Sequence, residues 1–131
     1  MMGKGMPHIT AAELKIMKVV WQLGACTVRQ TLDALPKDEG PPPAYTTVMT
    51  MMKQLAEKGA LNVDSQRQPF LYTPTVRRDR VLRQRVTQFL QTVFDGHAED
   101  LVLHLIEETD LSPADIRRIE AKIKKREKAN K

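Results

Sequence analysis

The segment Tyr-Thr-Thr-Val-Met-Thr-Met-Met-Lys-Gln-Leu-Ala-Glu-Lys-Gly, residues Tyr45 to Gly59, decides the predicted fold. Four of its apolar residues recur at the i, i+3, i+4 and i+7 spacing of one helical face: Val48, Met51, Met52 and Leu55. We therefore predict a helix with this face buried. The other side carries hydroxyls, a thioether, an amide and a cation, which can contact phosphates and base edges: Thr46, Thr47, Met49, Thr50, Lys53 and Gln54. Gly59 can adopt the left-handed conformation that ends a helix.

Two side-chain capping patterns predict two helices before this segment. Thr10 with Glu13 forms a capping box for a first helix over about 11–23. The predicted buried face of this helix comprises Leu14, Met17, Val20 and Trp21. Thr27 with Gln30 repeats the capping pattern for a second helix over about 28–35. The prolines from Pro36 to Pro43 exclude a continuing helix, so we predict a loop there.

The residues after Gly59 alternate between apolar and polar, which predicts a β-hairpin over 60–72. Leu61 and Val63 mark its first strand, and Phe70 and Tyr72 mark its second. The polar tip at 64–68 carries one cation, Arg67, and Pro74 ends the hairpin.

Helical spacing returns from Val76 onward and predicts three more helices. The first ends at Phe94, the second spans about 98–108, and the third is capped by Ser112. The apolar stripe of the third helix is narrow, and we expect the chain to fray after Ile123. Three amphipathic helices in about 50 residues lie near the lower limit for independent folding, so they need a partner surface.

The simplest partner for these helices is a second copy of the chain, since two-fold homodimers are the commonest oligomers. The apolar residues expected at this dimer interface are Leu82, Val86, Phe89, Leu90, Val93, Phe94, Leu101, Leu105, Ile116 and Ile119. The predicted fold class is thus mainly α with a small β-hairpin, a winged helix-turn-helix domain followed by a helical dimerisation region. We expect a flexible lead-in at 1–8, the winged-helix domain at 9–75 and the dimerisation region at 76–128.

The composition bounds the function of the chain. Its 131 residues carry a formal net charge of +5, which favours an anionic partner such as nucleic acid or a membrane surface. No apolar run approaches the roughly 20 residues that span a bilayer, and residues 1–7 lack the apolar core of a secretory signal. The single cysteine, Cys26, excludes an internal disulfide. We therefore expect a cytoplasmic protein with no membrane partner.

Three helices followed by a hairpin on a basic chain are the layout of a winged helix-turn-helix. In that layout the third helix enters the DNA major groove, and the hairpin reaches the backbone or the minor groove. The start of the second helix offers backbone donors for one phosphate, and Arg29 adds a positive charge there. Thr27 either contacts that phosphate or acts only as the helix cap.

An ordered set of motifs resembles the penicillinase and methicillin-resistance repressor (BlaI/MecI) family of bacterial winged-helix regulators over about residues 9–120. The motifs are Ala12-Glu13, Val19-Val20-Trp21, Tyr45-Thr46-Thr47-Val48-Met49-Thr50, Leu55, Lys58-Gly59, Tyr72-Thr73-Pro74, Phe94-Asp95-Gly96 and Asp110-Leu111-Ser112. The resemblance implies a homodimeric transcriptional repressor that binds double-stranded DNA at a palindromic operator, with the C-terminal helices forming the dimer.

The resemblance also implies routes of induction. Penicillinase-type members look to be cut at an Asn-Phe bond by a partner metalloprotease receptor, whereas this chain has His104-Leu105 at the position judged equivalent. Copper-responsive members carry a Cys-x-Cys pair near the C-terminus, and here that region has no cysteine, which excludes metal sensing by that route. A regulatory metalloprotease or sensor stays open as a partner. Gln54 replaces the usual basic residue of helix 3, which leaves the operator sequence open.

Other functions have weaker support in the sequence. A winged helix can also serve as a protein-interaction module with only non-specific nucleic-acid affinity, and the stripe over 82–94 could dock a partner. No phosphate-cradling glycine loop, nucleophile with a base, or pair of catalytic carboxylates predicts an enzyme. His8, His97 and His104 lack partners at metal-ligand spacing, so we expect no metal and no cofactor. Cys26 is either a buried thiol or a redox sensor.

Overall fold

The computed structural model describes residues 6–37 and 40–130 of the chain. These residues form α1 (Ala11–Leu23), α2 (Val28–Ala34), α3 (Tyr45–Glu57), β1 (Leu61–Asp64), β2 (Leu71–Pro74), α4 (Arg78–Phe94), α5 (Ala98–Glu108) and α6 (Pro113–Ala129). The prediction of a mainly α winged helix-turn-helix with one β-hairpin is confirmed. Residues 1–5 of the expected lead-in and 38–39 of the expected loop lie outside the described residues.

Local side-chain caps fix the first residue of three helices. In each capping box a Ser or Thr hydroxyl accepts the backbone N–H three residues later, and the side chain of that residue accepts in return. The pairs are Thr10 with Glu13, Thr27 with Gln30, and Ser112 with Asp115. Because these signals are local, the predicted starts of α1, α2 and α6 agree with the structure.

One apolar core holds α1, α2, α3 and the hairpin together. Its buried members are Ile9, Ile16, Met17, Val19, Val20, Cys26, Val28, Leu35, Val48, Met52, Leu55, Ala60, Leu61, Tyr72 and Val81. The buried face of α1 differs from the predicted one. Ile16 and Val19, which the prediction omitted, are buried, whereas the predicted Leu14 and Trp21 are only partly buried. The physical reason is that α1 packs against α2, α3 and β2 together.

The two strands pair antiparallel, with Val63 opposite Tyr72 and Leu61 opposite Pro74. The hairpin is also tied to the turn between α1 and α2. Tyr72 donates its N–H to the Cys26 carbonyl at 2.7 Å, and Cys26 donates its N–H to the Tyr72 carbonyl at 2.9 Å. This bridge, which the sequence did not predict, fixes the base of the hairpin against the helices.

The chain divides into two compact units, the first ending at Gln84 and the second beginning at Arg85. The first unit includes the start of α4 because Val81 is buried in its core. The expected border between the winged-helix domain and the dimerisation region, between residues 75 and 76, stays a prediction. Among the described residues, no helix combines the length and apolar character needed to cross a membrane.

The second unit contains the rest of α4 together with α5 and α6. The Phe94 ring centroid lies 5.8 Å from that of Phe89 and 5.1 Å from that of His104. The helix α6 continues to Ala129, so the expectation of fraying after Ile123 is wrong. The charged residues there are good helix formers, and cations in the last turn complement the helix dipole.

Candidate nucleic-acid interface

The helix α3 separates its apolar and polar residues onto two sides. Val48, Met52 and Leu55 are fully buried, and Met51 is half-buried. The exposed residues of the other side, here called the polar face of α3, are Thr46, Thr47, Thr50, Lys53 and Gln54. Met49 is half-buried and packs against the core, so less of its thioether is available for contact with DNA than the sequence predicted.

A partly buried ion pair anchors the C-terminal end of α3. Lys58, the residue after the helix, places its Nζ 2.5 Å from Oε1 of Glu13. The same oxygen accepts the Thr10 N–H at 2.9 Å, so one carboxylate both caps α1 and holds α3. Glu13 is 3% exposed. Burial alone would raise the pKa of Glu13, but the Lys58 ammonium and the Thr10 donors outweigh it and lower the pKa below 4.5.

The N-terminal end of α3 has no side-chain cap, since its N-cap residue is Ala44. The Arg29 guanidinium lies over the Tyr45 ring, 4.8 Å from its centroid. This cation–π contact joins the first turns of α2 and α3 and orients Arg29. Tyr45 is 38% exposed and is a candidate contact that the sequence analysis missed. The only sign of this contact in the sequence was an aromatic residue at the first position of α3, 16 residues after Arg29.

Thr27 acts as the cap of α2, one of the two roles that the sequence left open. Its Oγ1 accepts the Gln30 N–H at 3.1 Å, and Gln30 Oε1 accepts the Thr27 N–H at 2.9 Å. Two of the backbone donors predicted for a phosphate therefore already have partners. Contact of Thr27 with a phosphate stays a prediction.

The wing, residues 61–74, ends in an exposed polar tip. Asp64 Oδ1 accepts the Gln66 N–H at 3.1 Å, which shapes the turn after β1. Arg67 is exposed at this tip, and its contact with DNA stays a prediction. Since β2 is tied to Cys26 and Thr75 donates to the Gly59 carbonyl, both ends of the wing are fixed to the helical core.

Cys26 is fully buried, with its Sγ 3.3 Å from Thr31 Oγ1. Burial raises the pKa of its thiol above 9.0 despite the hydrogen bond with Thr31. A protonated, inaccessible thiol is a poor nucleophile, which favours the buried-thiol interpretation over a redox sensor. Among residues 6–37 and 40–130, no group of three or more His, Cys, Asp or Glu side chains could hold a metal ion.

The residues expected at a dimer interface differ in their solvent exposure in the single chain. Five are exposed, namely Val86, Phe89, Val93, Leu105 and Ile119, and five are half-buried, namely Leu82, Leu90, Phe94, Leu101 and Ile116. Four further apolar residues that the prediction omitted are exposed as well: Val102, Leu103, Ile106 and Ile123. His104, at the position judged equivalent to the cleaved pair, donates from Nδ1 to the Asp100 carbonyl at 2.9 Å.

Comparisons with known proteins identify the family of this chain. A family model described as penicillinase repressor matches residues 9–125. The penicillinase repressor of Bacillus licheniformis is 31% identical over 113 residues, covering 86% of this chain and 87% of that protein. The methicillin resistance regulatory protein MecI of Staphylococcus aureus strain N315 is 24% identical over 111 residues, covering 83% of this chain and 87% of that protein.

One solved structure with similarity to this chain is the solution structure of the DNA-binding domain of the repressor BlaI. It has 33% sequence identity and a TM-score of 0.48, and the match covers 58% of this chain and 90% of that one. The family match spans most of the chain, and the Bacillus licheniformis relative matches along nearly its whole length. The chain therefore belongs to the penicillinase repressor family, a family of DNA-binding transcriptional repressors.

Proposed function

We propose that this chain is a homodimeric repressor that recognises an inverted-repeat operator through the polar face of α3 and the wing. The observation that carries the proposal is the division of α3, where Val48, Met52 and Leu55 are fully buried and the five polar-face residues are exposed. A helix held by its apolar side presents the other side rigidly to a partner. The major groove, about 12 Å wide, admits one α-helix.

The residue types of the polar face suit base and phosphate contacts. Thr46, Thr47 and Thr50 offer hydroxyl donors and methyl groups, and a methyl group can contact the C5-methyl of thymine. Lys53 can reach a phosphate or a guanine, and Gln54 can pair with the donor and acceptor edge of adenine. These side chains would therefore supply the sequence preference.

Cations around α3 suit the phosphate backbone. Arg29 is held on the Tyr45 ring beside the first turn of α3, whose N-cap residue offers no side-chain acceptor. Free N–H groups and the positive dipole end of a helix favour a phosphate. Arg67 at the wing tip supplies a second backbone contact from a separate element. Two anchors on different elements would fix the orientation of α3 in the groove.

The proposed dimer accounts for the exposed apolar residues of the second unit. On α4, Val86, Phe89 and Val93 are 59%, 47% and 56% exposed in the single chain. Their spacing of three and four residues is that of a helix–helix seam. Soluble monomers rarely expose contiguous apolar surface of this kind. A two-fold dimer would cover it and would double the DNA-reading surface.

A second candidate function rests on the same exposed apolar residues. If a different protein covers them, the chain is an interaction module whose nucleic-acid affinity is weak and blind to sequence. The two functions differ in what they demand of α3. Only the operator-binding function needs the polar face of α3 to distinguish bases.

The experiment is selection of bound duplexes from a random pool with the full chain. We expect enrichment of an inverted repeat whose half-sites lie one duplex turn, about 34 Å, or a small multiple apart. A comparison variant carries Thr46→Ala, Thr47→Ala and Thr50→Ala. Alanine is a strong helix former, so these changes should not weaken α3. The variant should fold with the same helical content and lose the enriched sequence. Equal enrichment by both proteins, or no enriched sequence at all, would overturn the proposal.

A further inference from the structure

The helix α6 carries a second charged surface that the winged-helix function does not use. Its 17 residues include seven Lys or Arg side chains and three carboxylates, so most of the formal net charge of +5 lies on this one helix. Charge runs of this kind are often only solvated surface. The arrangement of the charges around the helix decides between that interpretation and a binding surface.

The charges are sorted by sign around the helix axis. At about 100° per residue, six of the cations share an arc of roughly 160° in which the other residues are alanines. These cations, here called the basic face of α6, are Arg117, Arg118, Lys122, Lys124, Lys125 and Lys128, and all are exposed. Glu120, Glu127 and the seventh cation, Arg126, lie outside this arc, beside the stripe of Ile119 and Ile123. One cation of the face is paired, because Arg118 donates to Asp115.

This sorting works against the stability of the isolated helix. Lys122, Lys125 and Lys128 follow one another at a spacing of three, and Arg118 and Lys122 at a spacing of four. Like charges at these spacings destabilise a helix. Opposite charges at these spacings flank Arg117 and Lys124 at one edge of the basic face, whereas Lys122, Lys125 and Lys128 have none. An anionic partner would relieve this repulsion.

We infer that the basic face of α6 binds the phosphate backbone of double-stranded DNA outside the inverted repeat. The inference rests on the proposed operator binding, which supplies duplex DNA to the same molecule. The helix is about 25 Å long at 1.5 Å per residue, so its cations can follow several successive phosphates. The basic face also lies opposite the stripe of Ile119 and Ile123, so a dimer formed through that stripe leaves it exposed.

A membrane surface fits α6 less well than DNA. Interfacial helices insert a large apolar face that is rich in aromatic residues and leucine. The apolar stripe of α6 consists of three isoleucines and is flanked on one side by Glu120 and Glu127, which an anionic bilayer would repel. Duplex DNA needs only the cations.

The test compares the selected operator in a duplex of about 20 base pairs with the same operator centred in about 50 base pairs, using the full chain and varying salt. The test variant is Lys125→Gln with Lys128→Gln, and the matched control is Lys18→Gln with Lys37→Gln, exposed cations outside α6. Gln keeps helix propensity, and sedimentation and circular dichroism check that both variants keep assembly and fold.

We expect the wild type to bind the longer duplex more tightly and with a steeper salt dependence. The test variant should lose about 1.8 from the salt exponent on the longer duplex, or about 0.9 for each of two phosphate contacts. It should lose nothing on the shorter duplex. The control should keep the length effect of the wild type, so that any loss it shows is the same on both lengths. Equal losses by both variants, or no length effect in the wild type, would overturn the inference.

Two further arms separate the remaining outcomes. If the short operator is not bound, the proposed function fails, and the salt exponents on a random-sequence duplex of about 50 base pairs then test α6 alone. There, a smaller exponent for the test variant than for the control supports the inference, and equal exponents overturn it. Binding to phosphatidylglycerol–phosphatidylcholine vesicles that the test variant loses, without a length effect on DNA, would assign the basic face to a membrane and overturn the inference.

Discussion

Glu13 performs two tasks with one carboxylate, because its Oε1 accepts from both the Thr10 N–H and the Lys58 ammonium. The first contact starts α1, and the second holds the end of α3. A carboxyl whose pKa is lowered by folding stabilises the protein above its unfolded pKa, and this contribution is lost as the pH falls through the folded pKa. The contribution of Glu13 is therefore fully present above the ordinary pKa of a glutamate and is lost progressively as the pH falls toward the lowered pKa of the folded protein.

Lys58→Met should lower the free energy of unfolding at neutral pH by about 1–3 kcal/mol. The variant leaves Glu13 buried without its cation, and the 33% exposure of the Lys58 side chain keeps the loss toward the lower end. As the pH falls through the lowered pKa of Glu13, the wild-type carboxyl is protonated as well, so the difference should shrink. Urea unfolding over a series of decreasing pH values measures this. The exposed Lys18→Met on α1 is the control, and a loss independent of pH would rule out the ion pair as its cause.

Cys26 gives a second prediction for a single residue. Because its thiol is fully buried and its pKa is raised above 9.0, a chromogenic thiol reagent should label the native protein only when the fold opens. We expect labelling at least about 1000-fold slower in buffer than in concentrated urea. Labelling of the native protein at the rate of the unfolded chain would restore the redox-sensor interpretation.

The element that reads DNA in the proposed function is α3, and Lys53 is the cation on its polar face. Lys53→Ala should weaken operator binding and lower the salt exponent by about 0.9 if the ammonium neutralises one phosphate. Lys18→Ala on α1 removes the same charge outside the interface and should leave the exponent unchanged. Binding to the selected operator at several salt concentrations measures both. Equal exponents for the two variants would remove Lys53 from the interface.

The wing gives a prediction of a different kind, because Arg67 lies at an exposed tip and not on the polar face of α3. Arg67→Ala should reduce the salt exponent by a similar amount, about 0.9, while keeping the same preferred half-site. Repeating the duplex selection with this variant measures the preference. A changed half-site would mean that Arg67 reads a base edge, as minor-groove arginines do.

The elements that could be predicted from the sequence are those whose signals are local. The capping boxes at Thr10, Thr27 and Ser112 and the left-handed Gly59 each act within a few residues of the helix end that they define. The Glu13–Lys58 pair spans 45 residues and the Cys26–Tyr72 bridge 46, and no spacing rule relates such positions. The polar face of α3 was likewise predictable from period alone, whereas the Arg29–Tyr45 contact needed the tertiary fold.

The whole molecule combines two units with different demands on their surfaces. In the first unit α3 keeps its apolar side in a closed core, and the residues of its polar face are exposed. In the second unit, neither α5 nor α6 contains a buried residue, so these two helices do not form a closed apolar core in the single chain. The second unit therefore has more to gain from association, and for this reason the proposed dimer is best tested there.

Val93→Glu should convert the proposed dimer to monomers without unfolding the chain. Val93 is 56% exposed in the single chain, so a carboxylate is tolerated there, but a two-fold interface would bury it twice. At about 1 kcal/mol or more per buried copy, the dissociation constant should rise at least about 30-fold. Sedimentation equilibrium measures this, and Gln88→Glu, an exposed position on α4, adds the same charge as a control.

The monomeric variant also tests how assembly and operator binding are linked. Two half-sites bound by one dimer gain from effective concentration, so Val93→Glu should lose far more affinity for the full inverted repeat than for a single half-site. Its half-site affinity should match that of the wild type, because the polar face of α3 is unchanged. Equal losses on both duplexes would instead mean that Val93 is needed for the folding of the unit that contains α3. An unchanged association state would mean that the dimer interface does not include this face of α4.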